Sequence, residues 1–157
     1  MADTNRISSI QLDEKSVVRR SPQVEHERKV AIFDLLEDNE FELVDGADGP
    51  YGLHLGIEEN RLIFDVRHED DSPLERFSLP ISVFRKTVKD YFMICDSYFE
   101  AIKTKTPSQI EAIDMARRGL HNEGAELLKD RMAENVTMDR PTARRLFTLV
   151  CVLHIRA

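Results

Sequence analysis

The apolar residues of this chain change period at Pro80, and that switch limits the folds open to it. Between Glu40 and Leu79 they alternate: Phe41 and Leu43, then Leu53, Leu55 and Ile57, then Leu62, Phe64 and Val66, then Leu74, Phe77 and Leu79. Successive side chains on a strand point to opposite faces, so a period of two predicts four short strands with one face covered and the other wet. Three segments separate them: Asp45-Gly46-Ala47-Asp48-Gly49-Pro50, Glu58-Glu59-Asn60-Arg61 and Glu69-Asp70-Asp71-Ser72-Pro73. All are rich in turn formers and too short for a crossover, which predicts an antiparallel meander.

Beyond Pro80 the pattern is helical. Phe84, Val88, Tyr91, Cys95, Tyr98 and Ile102 recur at spacings of three and four, and Phe92, Ile94 and Phe99 widen that stripe to a second side. Thr106-Pro107-Ser108-Gln109 reads as a capping box that opens a second helix, whose apolar line runs Ile113, Ala116, Leu120, Leu127 and Leu128. A third helix is expected from near Asp139 or Pro141. From Leu146 to Leu153 it is apolar around its circumference, as a central core helix would be, with a buried strand over Phe147–Val152 as the alternative.

Upstream of the strands, Ser21-Pro22 supplies a cap and a first-turn proline for a helix from Pro22 to Asp38, with Glu25 and Glu27 where the helix dipole favours acids. Ile7, Ile10, Leu12, Val17 and Val18 suggest one or two short strands after a ragged start over residues 1–11. The expected architecture is α+β: an antiparallel sheet of four to five strands, packed on one face by a C-terminal three-helix layer, with the first helix at its edge. No linker divides the chain, so a single globular domain over residues 1–157 is expected.

Charge narrows the function classes. The net charge is −7, with 9 cationic and 19 anionic side chains up to residue 80 against 13 and 10 after it. A negative balance argues against nucleic acid and against anionic membranes, both of which take most of their affinity from a basic face. The longest apolar run, Leu146 to Ile155, is about half of the ~20 residues that a membrane span needs. Cys95 and Cys151 sit in apolar runs and read as reduced, buried thiols, which implies a cytoplasmic setting. Neither has the surroundings of a nucleophile.

Chemistry-bearing side chains concentrate in Arg117-Arg118-Gly119-Leu120-His121-Asn122-Glu123-Gly124. Asp114, Arg117, Arg118, His121 and Asn122 fall three and four apart and are expected on one polar stripe opposite Ile113, Ala116 and Leu120. Glu123 stands where the apolar line should continue. In a functional reading His121 and Glu123 form an acid–base pair and Arg117 or Arg118 clamps an anion. In a structural one Glu123 pairs with Arg117, Arg118 or Arg145, and Gly119 and Gly124 admit a close neighbouring helix. Arg144 and Arg145 open the last helix, where cations oppose the macrodipole. They call for a bound anion on their guanidinium groups and the free amides, or for Asp139, Glu134 or Glu123 as neutralising partners. His26, His54, His68 and His154 are scattered without the spacing of a zinc site, so no metal and no cofactor is expected.

Five blocks carry a family likeness: Val24–Arg28, Val88–Cys95, Pro107–Met115, Gly119–Gly124 and Thr142–His154. From about Leu12 to the C-terminus the chain resembles the UPF0262 family, uncharacterised proteins found mainly in alphaproteobacteria. The resemblance implies a bacterial cytoplasmic origin and supplies no activity, cofactor or site residue. The residues themselves favour a non-catalytic binding or regulatory module whose partner is a protein or a small anionic ligand. A small enzyme working through His121, Glu123, Arg117, Arg118, Arg144 and Arg145, with Asn122 beside them, is the alternative. An oligomeric structural protein paired through its apolar last helix is a third.

Overall fold

The computed structural model describes residues 4–13 and 22–154, and for His154 the backbone only. The capping residue Ser21, the strand suggested by Val17 and Val18, and the side chain of His154 lie outside the described residues. The elements run β1 (Ile7–Asp13), α1 (Pro22–Glu37), β2 (Phe41–Leu43), β3 (Tyr51–Glu58), β4 (Arg61–His68), β5 (Pro73–Pro80), α2 (Ser82–Thr104), α3 (Pro107–Met132), β6 (Val136–Met138) and α4 (Arg140–His154). The fold is α+β, with the C-terminal helices packed on the sheet.

The meander appears as β3, β4 and β5, joined antiparallel. Glu59 and Asn60 form the β3–β4 turn at φ values of 50° and 63°. Two consecutive left-handed residues give the twist that a two-residue hairpin needs. In the next turn the Asp70 carboxylate accepts the Ser72 amide at 3.0 Å, and Asp71 takes φ 73°. The sheet is completed by β1, giving the order β1-β3-β4-β5, and β1 lies parallel to β3. It is therefore mixed rather than wholly antiparallel. The chain between β1 and β3 is long enough to contain α1, and a crossover of that length is what a parallel pair requires.

The first strand of the expected meander sits elsewhere. β2 pairs antiparallel with β6, a three-residue strand in the connection between α3 and α4, as a separate two-stranded ribbon. Three residues carry too little periodicity for β6 to be read from sequence. Asn39 ties the two regions together: its side chain accepts the Ile7 amide at 2.7 Å and donates to the carbonyls of Ile7 (3.0 Å) and Leu35 (2.7 Å). One amide thus closes the C-terminal end of α1 and pairs with the start of β1.

α4 is the central helix. Ala143, Leu146, Phe147, Leu149, Val150, Cys151, Val152 and Leu153 are all buried, and α1, α2, α3 and β3 pack around it. Its apolar circumference is consumed within the chain. The capping box on α3 forms as read, with Thr106 accepting the Gln109 amide and the Gln109 side chain accepting the Thr106 amide. α2 buries one face, through Phe84, Val88, Tyr91, Cys95 and Ala101, and leaves Ile102 52% exposed. Among the described residues no helix is long and apolar enough to cross a membrane.

Candidate functional site

α1, α3 and α4 enclose a cleft of about 400 Å³. α1 lines it with His26, Glu27, Val30, Ala31 and Asp34, whose spacing puts them on one helix face; α4 supplies Pro141, Arg144, Arg145 and Thr148, and α3 supplies His121. Of the residues singled out in the sequence, His121, Arg144 and Arg145 therefore converge. Arg117 borders a neighbouring cavity of about 230 Å³ beside Tyr98 and Cys95. Arg118, Asn122 and Glu123 are exposed and line none of these spaces.

The separation of His121 from Glu123 follows from helix geometry. Two positions along an α-helix amount to a rotation of roughly 200°, so neighbours at that spacing point to opposite sides. His121 turns inward and Glu123 turns to solvent, toward Lys86 of α2. The expected polar stripe also divides. Arg117 and His121 lie on the packed side with Gly124 and Leu128, while Ala116 and Met115 face water, Met115 at 64% exposure.

His121 is held by aromatic edges and one hydroxyl. Its ring meets Tyr91 and Phe147 edge-on, with centroids 5.2 and 5.3 Å away, and its Nε2 lies 2.7 Å from Thr148 Oγ1. Thr148 in turn donates to the Arg144 carbonyl at 3.3 Å. Burial, then the nearby cations Arg144 and Arg117, push the imidazole pKa down to about 4. A pKa this low leaves the imidazole neutral near pH 7, where its Nε2 shares a hydrogen bond with Thr148. Close approach of α4 makes this possible: a Cβ on Gly124 would run into the Phe147 ring, whereas Gly119 has open space around it.

The arginines are not equivalent. Arg117 and Arg118 share Asp114, at 2.6 and 2.7 Å, and Arg117 also lies 4.9 Å over the Tyr98 ring. Both charges are already answered within the helix. Arg145 donates to the Asp38 carbonyl at 2.9 Å. Arg144 is exposed on the cleft wall, and its guanidinium group has no hydrogen-bonded or ion-paired partner among the described residues. The helix start is closed to an anion: Asp139 caps it by accepting the Thr142 amide at 3.0 Å, and α4 begins at Arg140, so the two arginines lie beyond the first turn.

Glu27 was hidden in the sequence, where an acid near the start of a helix looks like a solvated dipole partner; in the structure only Glu25 falls in the first turn of α1. Glu27 is half-buried and borders the cleft, the Arg117 cavity and a third space beside Phe92 and Cys95. Burial raises its pKa, against the opposing pull of Arg117 and of the Tyr91 hydroxyl, which donates to it at 3.4 Å. Asp34, about two turns further along α1, was likewise unread. The cysteines are free and buried, and burial pushes Cys95 up to about 11 and Cys151 well above the ordinary thiol value. Among the described residues no group of three or more His, Cys, Asp or Glu side chains is arranged to hold a metal ion.

These features define an α+β protein with a charged cleft between three helices. The chain belongs to UPF0262, an uncharacterised protein family, whose model matches residues 4–156. Full-length relatives are bacterial. A UPF0262 protein of Rhodospirillum rubrum is 60% identical over 156 residues, covering 99% of this chain and 96% of the relative. One from Paramagnetospirillum magneticum is 58% identical with 99% of each chain covered, and one from Sphingopyxis alaskensis is 57% identical, covering 96% of this chain and 94% of its own. No solved structure matches the chain.

Proposed function

We propose that this protein is a non-catalytic, single-domain binding module of the bacterial cytoplasm that holds a small anionic ligand in the cleft between α1, α3 and α4. Arg144 carries the reading: a guanidinium group with no hydrogen-bonded or ion-paired partner among the described residues, on the wall of a cleft within the size range of small-molecule sites. A guanidinium offers a planar fork of donors suited to a carboxylate or phosphate. Arg145, pinned to the Asp38 carbonyl, and the Thr148 hydroxyl stand beside it. Neutral His121 completes the floor with a hydrogen-bonding edge. The His121–Glu123 pair expected from the sequence does not meet in the cleft, because Glu123 is exposed and outside its lining.

Isothermal titration of the purified protein with inorganic phosphate and with pentanoate tests this. Saturable binding to at least one of them is expected, lost in Arg144→Ala and retained in Arg118→Ala, whose charge is bound to Asp114. A ligand at 100 times its dissociation constant adds about 2.7 kcal/mol of stability, so thermal shift gives a second readout. No binding, or binding indifferent to Arg144→Ala, overturns the proposal.

A further inference from the structure

The same cleft carries charges of both signs that do not meet. On the α1 wall stand Glu27 and Asp34; on the α4 wall stand Arg144 and Arg145. Elsewhere neighbouring opposites close up, Arg117 on Asp114 at 2.6 Å and Arg140 on Glu126 at 3.1 Å. Across the cleft none of the four forms an ion pair with another. Asp34 has no side-chain partner among the described residues, and Glu27 accepts a 3.4 Å hydrogen bond from Tyr91 and feels the charges of Arg117 and His26 without an ion-pair contact. Between the walls lie the apolar surfaces of Val30, Ala31 and Pro141.

Such a site discriminates by sign. A simple anion drawn to Arg144 is repelled by the two carboxylates, and a simple cation drawn to Asp34 is repelled by the two guanidinium groups. A molecule carrying both charges satisfies both walls at once. Resting on the anion-binding reading above, we propose that the ligand is an amino acid or a close relative, a small zwitterion with its carboxylate on Arg144 and its ammonium group facing Asp34 and Glu27. Its short hydrocarbon part then lies on Val30, Ala31 and Pro141.

The test uses four five-carbon probes at pH 7.5 on the full-length protein: L-norvaline, 5-aminopentanoate, pentanoate and pentylamine. The two amino acids differ in the spacing of their charges. At least one of them is expected to bind ten or more times more tightly than pentanoate or pentylamine. Asp34→Asn and Glu27→Gln, checked for folding by urea denaturation, should each shrink the ratio of amino acid to pentanoate affinity. Equal binding of pentanoate and both amino acids overturns the zwitterion and leaves the anion site standing. Pentylamine as the tightest probe overturns it too. Silence from all four probes and from phosphate removes the anion site and this inference together.

Discussion

His121 makes stability depend on pH in a way that can be worked out in advance. Its imidazole is packed between Tyr91 and Phe147, faces Arg144 from α4 and Arg117 from its own helix, and has no carboxylate in ion-pair contact among the described residues. The folded pKa of about 4 lies below the unfolded value of 6.5. Between those values the unfolded chain holds more protons, so stability falls as pH falls. The contribution of the neutral ring is fully present above 6.5 and is progressively lost down to about 4. Linkage between pH 7.5 and 5.0 gives a loss of about 2 kcal/mol from this one residue. For a chain of this size that corresponds to a fall of roughly 4–8 °C in Tm.

Carboxylates titrate in the same window, so wild type alone does not isolate the effect. His121→Gln does, because its amide nitrogen can take the place of Nε2 beside Thr148 while carrying no titratable proton. Urea denaturation of both proteins at pH 7.5 and 5.0 is the assay. The variant should lose about 2 kcal/mol less than wild type over that interval. Parallel losses would refute the argument, since they would mean that the ring titrates as it does in the unfolded chain.

Two other substitutions test the packing that positions the cleft. Gly124→Ala drives a methyl group into the Phe147 ring, and overpacking of that kind costs about 1–3 kcal/mol, whereas Gly119→Ala meets open space and should stabilise by about 0.5–1 kcal/mol through helix propensity. Denaturation midpoints moving in opposite directions are the expected result, and a stable Gly124→Ala protein would contradict the close contact of α3 with α4. Asn39→Ala removes three hydrogen bonds and strands the buried Ile7 amide, a loss of about 2–4 kcal/mol in the same assay. A change below about 0.5 kcal/mol would show that Asn39 is not the tie between α1 and β1.

Local chemistry was legible and pairing was not. The box at Thr106 and Gln109 and the turn at Glu59 and Asn60 depend on residues a few positions apart and form as read, and the α2 stripe holds through Phe84, Val88, Tyr91 and Cys95 but leaves Ile102 in solvent. The parallel seat of β1 and the β2–β6 ribbon depend on partners far along the chain, and period alone names a strand without naming its neighbour. Glu27 was missed for the same reason. Its local setting suits solvent, and only the arrival of α2 and α3 encloses it.

The cleft shows how one local signal sets a distant arrangement. Gly124 was one of two glycines read in the sequence as admitting a close helix, and in the structure it, not Gly119, is the gap through which Phe147 reaches α3. That approach buries His121 against Phe147 and Tyr91 and sets Thr148 within 2.7 Å of the imidazole. Arg144, one turn before Thr148, comes to the cleft wall as a consequence, and α1 packing on the other side of α4 brings Glu27 and Asp34 opposite it. A single missing side chain thus fixes how closely two of the three cleft helices meet.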